Sequence, residues 1–506
     1  MKVKLMLLLP LFMGVCLSLS ATVKISSLFS DGAVLQRDKY VMVWGWGDEN
    51  ESVTVSFDGQ TISTKVQNGK WSVQLKPMKT DAKPQKMIVK GKNNVIEIND
   101  ILIGEVWICS GQSNMEWNVQ RTNGGDEAIS QSNNNLLRIC VVPHNVKYSP
   151  VDNVPVKWAY ASPKSVYYAS AVGYYFMSKL QKEMNIPVGM LQIAFGGTVI
   201  ESWMSKEALS AMPHQDKYMD AKAMKAEYDT RIAKIQPIID AYEHAKDSAR
   251  VNKLPAPPRP SEIPSEYKGT TTIYNGEIYP VAPFTVRGIV WYQGESNAYP
   301  QRADTYYELL PRMIQLWRSL WKEPKLPFVV IQITPNRKPQ TDPNEWSGIA
   351  VVQDAEAKTA MATPYTALVT TMDCAEENVH YREKKPVGDR VLLAAKYLCY
   401  GSKAEYCGPV FKAMTIKGNK CIVSYHHASN GLSQKGDKLQ GFVVAGADKK
   451  FYFADAKIIG NTVEVSSPQV LQPVAVRYGW ANFPKVNLFN KEMLPASPFR
   501  TDNWKN

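Results

Sequence analysis

Ser113 stands in the run Glu-Val-Trp-Ile-Cys-Ser-Gly-Gln-Ser-Asn-Met-Glu-Trp (105–117). The apolar stretch Val106 to Cys109 reads as a buried strand that stops abruptly at Ser110-Gly111, and a small hydroxyl side chain follows at once. A hydroxyl on the sharp turn after a central strand is exposed, rigidly held and close to backbone N–H groups. An acyl-transfer nucleophile has those three requirements. Taken alone, a Ser/Gly/Asn run is an ordinary turn, so the reading depends on partners elsewhere in the chain.

The partner base is found by elimination among six histidines. His144 and His214 each follow a proline in segments that read as loops. His244 falls on a helical stretch and His426 and His427 in a β-rich region. His380 alone lies between a strand at 366–372 and a helix at 387–398, a few residues past the strand end. The preceding Asp373-Cys-Ala-Glu-Glu-Asn-Val offers acids to orient the imidazole, Glu377 three residues before it and Asp373 at the strand end. A carboxylate on Nδ1–H fixes the tautomer and stabilises the imidazolium. For the developing oxyanion, Gly196-Gly197 at another strand end permits close backbone approach. Gln293 in Trp-Tyr-Gln-Gly-Glu-Ser-Asn (291–297) adds a side-chain amide. One well-placed donor of this kind changes a rate by about 10²–10³.

These residues need a scaffold that brings strand ends together. From about 101 to 402 the pattern alternates strands (105–109, 188–195, 287–292, 327–333, 366–372) with helices (168–184, 304–321, 387–398). Such alternation predicts a mostly parallel sheet covered by helices, with its chemistry at the carboxyl ends of the strands. The alternation is interrupted at about 205–283 by a helical insertion, broken near Pro237 and followed by Leu-Pro-Ala-Pro-Pro-Arg-Pro (254–260), in the position of a lid or a solvated surface segment. Residues 21–100 carry short alternating runs separated by Asp58-Gly59 and Asn68-Gly69, strong hairpin signals. β signals return over 403–506, so a β domain is expected on each side of the α/β domain.

The 506 residues are too many for one core, and 44% apolar with 21% charged residues is the balance of a soluble globular protein. Residues 1–20 read as a signal peptide: Lys2 and Lys4 precede the apolar run Leu5–Leu19, and Ser18 and Ser20 supply small residues for cleavage. Val15 before Cys16 argues against a lipoprotein anchor. An exported protein, periplasmic or secreted and with no membrane span, is therefore expected. The other six cysteines form no CxxC pair, so no structural zinc is indicated; Cys399 and Cys407 are close enough in sequence to bridge. The net charge of +12 is spread along the chain, without a nucleic-acid motif.

The ordered blocks Gly-Gln-Ser-Asn-Met (111–115), Phe-Gly-Gly-Thr (195–198), Tyr-Gln-Gly-Glu-Ser-Asn (292–297) and a late His resemble the SGNH (GDSL-like) hydrolase superfamily. Within it the chain resembles the sialate O-acetylesterase and carbohydrate acetylesterase branch. The resemblance extends to Leu-Phe-Ser-Asp-Gly-Ala-Val-Leu-Gln-Arg (28–37), Tyr-Asn-Gly-Glu-Ile-Tyr-Pro (274–280) and Pro-Ala-Ser-Pro-Phe-Arg-Thr-Asp-Asn-Trp (495–504). It implies an α/β fold, a three-layer α/β/α catalytic domain with flanking β-sandwich-like domains. It also implies Ser113 as nucleophile, His380 as base, Gly197 or Gly196 with Gln293 as oxyanion ligands, and no metal or cofactor. The superfamily's Asp position three residues before the His is Glu377 here, which makes Glu377 the favoured acid, with Asp373, or no acid and a Ser–His dyad, as the alternatives. The substrate implied is an O-acetyl ester on a sugar, sialic acid first and acetylated xylan or another plant glycan second. A non-catalytic glycan-binding protein with a degenerate site is the reading from another class, and the joint presence of Ser, Gly, Gln and His argues against it.

Overall fold

The computed structural model describes residues 22–210, 212, 221–260 and 262–504. The signal-peptide reading of residues 1–20, the lipid-anchor question at Cys16, and His214 lie outside the described residues.

Strand Val95–Gly111 is the spine of the molecule. Its first half pairs antiparallel with Asp81–Lys90 in the N-terminal β region. Its second half becomes the centre of a parallel sheet, with Val188–Ala194 on one side and Gly288–Tyr292 on the other. Asn134–Val141 lies beyond Val188–Ala194, also parallel, and Trp158–Ala161 closes that edge antiparallel. Phe328–Ile331 and Thr366–Val369 extend the other side in parallel. Residues 105–111 alternate toward both covered faces and are buried without interruption, as a strand between helix layers must be.

Helices Ala171–Met184 and Lys385–Cys399 pack together as one pair on the sheet, and Tyr306–Leu320 and Gly348–Ala362 as another. The α/β class with β-sheet regions on both sides is thus the architecture expected from the alternation. The helix at 348–362 and the strands at 134–141 and 158–161 are additions to that reading. Gly348–Ala362 is buried on nearly every side, so its sequence lacks the one-faced apolar stripe that marks a surface helix.

Asp58 and Gly59, both at positive φ, form the turn of the Ser52–Phe57/Gln60–Lys65 hairpin. Asn68 and Gly69 make a similar turn, yet Lys70–Leu75 pairs with Val41–Trp46 in a separate three-stranded sheet. That turn passes the chain from one sheet to the other. In the insertion, helices Ala221–Lys234 and Gln236–Val251 break just before Pro237. The C-terminal region holds two four-stranded sheets and a two-stranded ribbon. All six described cysteines are free thiols, so Cys399 and Cys407 are not bridged.

The amino edge of the sheet is fastened by a buried charge. Glu105 is fully buried; its Oε1 accepts from Arg37 Nε (2.6 Å) and Arg287 Nη2 (2.9 Å), and its Oε2 from Arg287 Nε (2.7 Å) and Tyr400 Oη (3.0 Å). Burial pushes this carboxyl upward, but Arg287 and Arg37 outweigh it and hold the group below the usual carboxylate range. One side chain therefore joins the N-terminal region, two sheet strands and the end of Lys385–Cys399. Removing one member of such a network strands the remaining charges away from water, at a cost of about 3–5 kcal/mol. Glu105→Ala is expected to lose stability on that scale in urea unfolding at neutral pH. A lowered carboxyl stabilises above its ordinary pKa and loses that contribution as pH falls through its folded value, so the gap between variant and parent should narrow in acid.

Candidate active site

Register brings the three motif-bearing strands to a common finish. Ala194 and Tyr292 are both paired opposite Gly111, so the three parallel strands end level with one another. The next residues of each chain segment, Gln112-Ser113, Phe195-Gly196-Gly197 and Gln293-Gly294, must emerge side by side. Gly111 takes a positive φ of 142°, and a Cβ there would lie 2.0 Å from the Tyr292 carbonyl oxygen. Only glycine lets the strands stay together through the turn.

Ser113 opens the one-turn helix Ser113–Glu116. Its Oγ lies 2.9 Å from Nε2 of His380, 267 residues away in sequence. His380 is carried on the segment between Thr366–Val369 and Lys385–Cys399. Its ring is stacked on Trp117 (4.7 Å between centroids, 19° between planes). Burial lowers the imidazole pKa, and the neighbouring Lys384 and Arg121 charges push it in the same direction. Arg121 itself sits over the other component of the stack, 5.2 Å from the Trp117 ring.

The His380 segment is held from below. Asn114 Nδ2 donates to the Val379 carbonyl (3.1 Å) and to Glu295 Oε1 (2.5 Å), while its Oδ1 accepts from Lys384 Nζ (2.5 Å). Lys384 is fully buried beside the Tyr381 ring, 3.4 Å from its centroid. Burial drives its ammonium down to about 7 and drives the Glu295 carboxyl up. Tyr381 and Tyr292 share a hydroxyl contact at 3.0 Å. Residues next to Ser113 and Gln293 thus fix the height of the loop that carries His380.

No carboxylate is hydrogen-bonded to the His380 ring among the described residues. Asp373 is clamped by Arg390 through both oxygens at 2.7 Å, with Arg390 also donating to the Thr370 carbonyl. The Glu377 backbone carbonyl accepts from Arg337 N (3.1 Å), and its residue lines the same cavity as Ser113 and His380. Asn378 Oδ1 accepts the backbone N–H of His380 at 2.9 Å.

A cavity of about 1010 Å³ opens over this edge, lined among others by Gln112, Ser113, Gly196, Gly197, Tyr267 and His380. The Ser113 and Gly197 N–H groups have no acceptor among the described residues. The Gly196 N–H is already given to Glu116 Oε2 at 2.7 Å. Gln293 is fully buried and stands behind the cavity wall. Its Nε2 faces Asn297 Oδ1 (2.9 Å), Gln112 Oε1 (3.1 Å) and the Thr198 carbonyl (3.1 Å).

Glu116 and Lys384 are given no role by the sequence; Gln112 and Asn114 stand in the Gly-Gln-Ser-Asn-Met block without one, and His144 reads as a loop residue. His144 lies at the same edge, with Nε2 2.8 Å from Glu116 Oε1. Recognising Asn134–Val141 as a strand would have placed His144 just beyond a carboxyl end. Buried Lys384 has no such signal. Of the tryptophans near the motifs, Trp107, Trp203 and Trp291 are fully buried in the core, and Trp117 alone reaches the site.

A family model for "Carbohydrate esterase, sialic acid-specific acetylesterase" matches residues 103–239 and 264–398. The gap between the two stretches falls on the second inserted helix and the proline-rich linker. The sialate O-acetylesterase of Rattus norvegicus is 26% identical, with 94% of each chain covered. That of Homo sapiens is also 26% identical, over 97% of this chain and 95% of its own. Among solved structures, a carbohydrate acetylesterase from Xanthomonas citri is 32% identical and superposes with a TM-score of 0.81, covering 96% of this chain and all of its own. With an α/β framework whose matched stretches carry every motif at this edge, the chain is a carboxylic ester hydrolase and belongs to the sialic acid-specific acetylesterase family of carbohydrate esterases.

Proposed function

We propose that this protein is an exported serine esterase that removes O-acetyl groups from sugars, sialic acid esters first among them, with Ser113 as nucleophile and His380 as base. The observation that carries the reading is the 2.9 Å approach of Ser113 Oγ to His380 Nε2 at a cavity lined by Ser113 and Gly197, whose N–H groups have no acceptor among the described residues. With the proton on Nδ1, His380 Nε2 accepts the Ser113 hydroxyl proton as Oγ attacks the acetyl carbonyl. The tetrahedral oxyanion is met by the N–H groups of Ser113 and Gly197. Gln293 joins them if its amide exchanges one of its three protein acceptors for the oxyanion. His380 then returns the proton to the departing sugar oxygen, and water, deprotonated by the same imidazole, releases acetate.

The acid is read as dispensable: Asp373 is committed to Arg390, and Glu377 reaches the cavity without a bond to the imidazole. Export is supported by the Lys-flanked apolar leader (Lys2, Lys4, Leu5–Leu19). Among the described residues no helix is long and apolar enough to cross a membrane. A second reading keeps the chemistry and changes the sugar, to acetylated xylan or another plant glycan; identity to the Xanthomonas citri carbohydrate acetylesterase (32%) exceeds that to the mammalian sialate O-acetylesterases (26%), which favours a carbohydrate ester without choosing the sugar. Acetate release from O-acetylated sialosides and from acetylated xylan, measured side by side, decides between them.

Ser113→Ala should lower acetate release from an aryl acetate by at least about 10³-fold; a rate equal to the parent's would remove the enzymatic role of this site. Glu377→Ala should lose less than about tenfold in kcat, whereas a loss near 10⁴ would make Glu377 the orienting acid. The base must be neutral to act, so activity is present above the His380 pKa and lost as pH falls through it. Because that pKa is lowered, the acid limb of kcat/KM should lie below the 6.5 of a free imidazole. Lys384→Met removes a neighbouring positive charge and should move the limb upward.

A further inference from the structure

Glu116 sits one turn along from Ser113 on the same short helix, and its two carboxylate oxygens are divided between two partners. Oε2 accepts the Gly196 N–H at 2.7 Å, and Oε1 lies 2.8 Å from His144 Nε2. The same Nε2 is 3.2 Å from the Ala194 carbonyl, so it faces two acceptors and must carry a proton. The His144 ring lies flat on Phe195, 3.6 Å between centroids and 4° from coplanar. From beneath, Glu277 Oε1 accepts the Asn145 N–H at 2.9 Å and anchors the His144 loop.

These contacts account for the strand-end segment residue by residue. The Ala194 carbonyl faces His144, the Phe195 N–H donates to the Gly111 carbonyl (3.0 Å), and the Phe195 carbonyl accepts from Thr198 Oγ1 (2.8 Å). The Gly196 N–H is held by Glu116. That leaves the Gly197 N–H without an acceptor among the described residues; Gly197 takes a positive φ of 77° and lines the same cavity as Ser113. Gly196 packs closely against the Ser113 helix: a Cβ there would be 2.9 Å from Glu116 Oε2 and 3.2 Å from Ser113 Cβ, so the approach leaves no room for a side chain.

We propose that Glu116 and His144 are positioning residues that aim the Gly197 N–H at the oxyanion by tying its loop to the helix that carries Ser113. The inference rests on the esterase reading above and extends it. Because donor loop and nucleophile hang from one helical turn, a displacement of either moves both, and the distance from Oγ to the donor is conserved. Preorganised donors lose most of their effect when they are misplaced by a fraction of an ångström. The competing account is an ordinary rim ion pair, since both side chains are partly exposed. Such a pair affects little of either stability or rate.

The test uses the full-length protein and the variants Glu116→Ala, Glu116→Gln and His144→Phe. Each is assayed for kcat and KM on 4-nitrophenyl acetate, for inhibition by phenylboronic acid (which adds to the serine as a tetrahedral adduct), and for thermal unfolding. Glu116→Ala should lose about 10–100-fold in kcat, part of what removal of one oxyanion donor costs, with KM within about twofold. Boronate affinity should fall in proportion to kcat. Glu116→Gln keeps an oxygen for the Gly196 N–H and should recover most of the rate. A kcat within twofold of the parent for Glu116→Ala, or a fall in kcat with boronate affinity unchanged, would overturn the proposal. Should Glu116→Ala fail to fold, His144→Phe keeps the stack on Phe195 without the Nε2 donor, and a kcat equal to the parent's would overturn it equally. An inactive Ser113→Ala beside a fully active Glu116→Ala sinks this inference alone, while an active Ser113→Ala sinks the reading beneath it.

Discussion

The pairing of Ala194 and Tyr292 with the same residue, Gly111, is the constraint from which the site is built. Backbone hydrogen bonds on both sides of one strand leave no freedom in where the next residues emerge. Three loops that carry a hydroxyl, a pair of glycines and an amide therefore start at one level on three adjacent strands, each about 5 Å from the next. A slip of one residue in either pairing would turn every buried side chain of that strand to the other face. The hydrophobic core on both faces of the sheet thus enforces the alignment that the chemistry uses.

The fourth component, His380, follows Thr366–Val369, three strands along from the one that carries Ser113, and needs its own anchors. Asn114 provides the main one by reaching the Val379 carbonyl from the position next to Ser113. Behind it, Lys384 and Glu295 are buried on either side of the same amide. Burial disfavours the charge on both, so it draws the pair toward neutrality, while what charge Lys384 keeps helps to hold the imidazole pKa down. Arg390 plays the corresponding role at the other end of the loop, spanning Asp373 and the Thr370 carbonyl. Its grip on Asp373 is also why that acid, attractive in the sequence, is not beside the imidazole.

At the opposite edge, Glu105 binds the N-terminal β region to the sheet. The continuous strand Val95–Gly111 makes that region part of the same structural unit as the site. Most of the second inserted helix, Gln236–Val251, and the linker after it lie at the break between the two family-matched stretches, as an insertion in a surface loop can be added at small cost in loop entropy.

The sequence by itself determined the class of fold and the four loops that meet. Strand–helix alternation, turn dipeptides such as Asp58-Gly59, and glycines at strand ends are local signals with local physical causes. They placed Ser113, Gly196, Gly197, Gln293 and His380 at one sheet edge without any long-range information. The elements it did not mark were those without local contrast: Gly348–Ala362 is buried all round, and Asn134–Val141 was obscured by its polar start. Only the tertiary structure decided who touches whom. Glu116 with His144, Lys384 with Asn114, and Asp373 with Arg390 are contacts between residues whose spacing in the chain carries no trace of the pairing. A side-chain hydrogen bond depends on distances set by packing across layers, to within a few tenths of an ångström, and no periodicity of the chain encodes that.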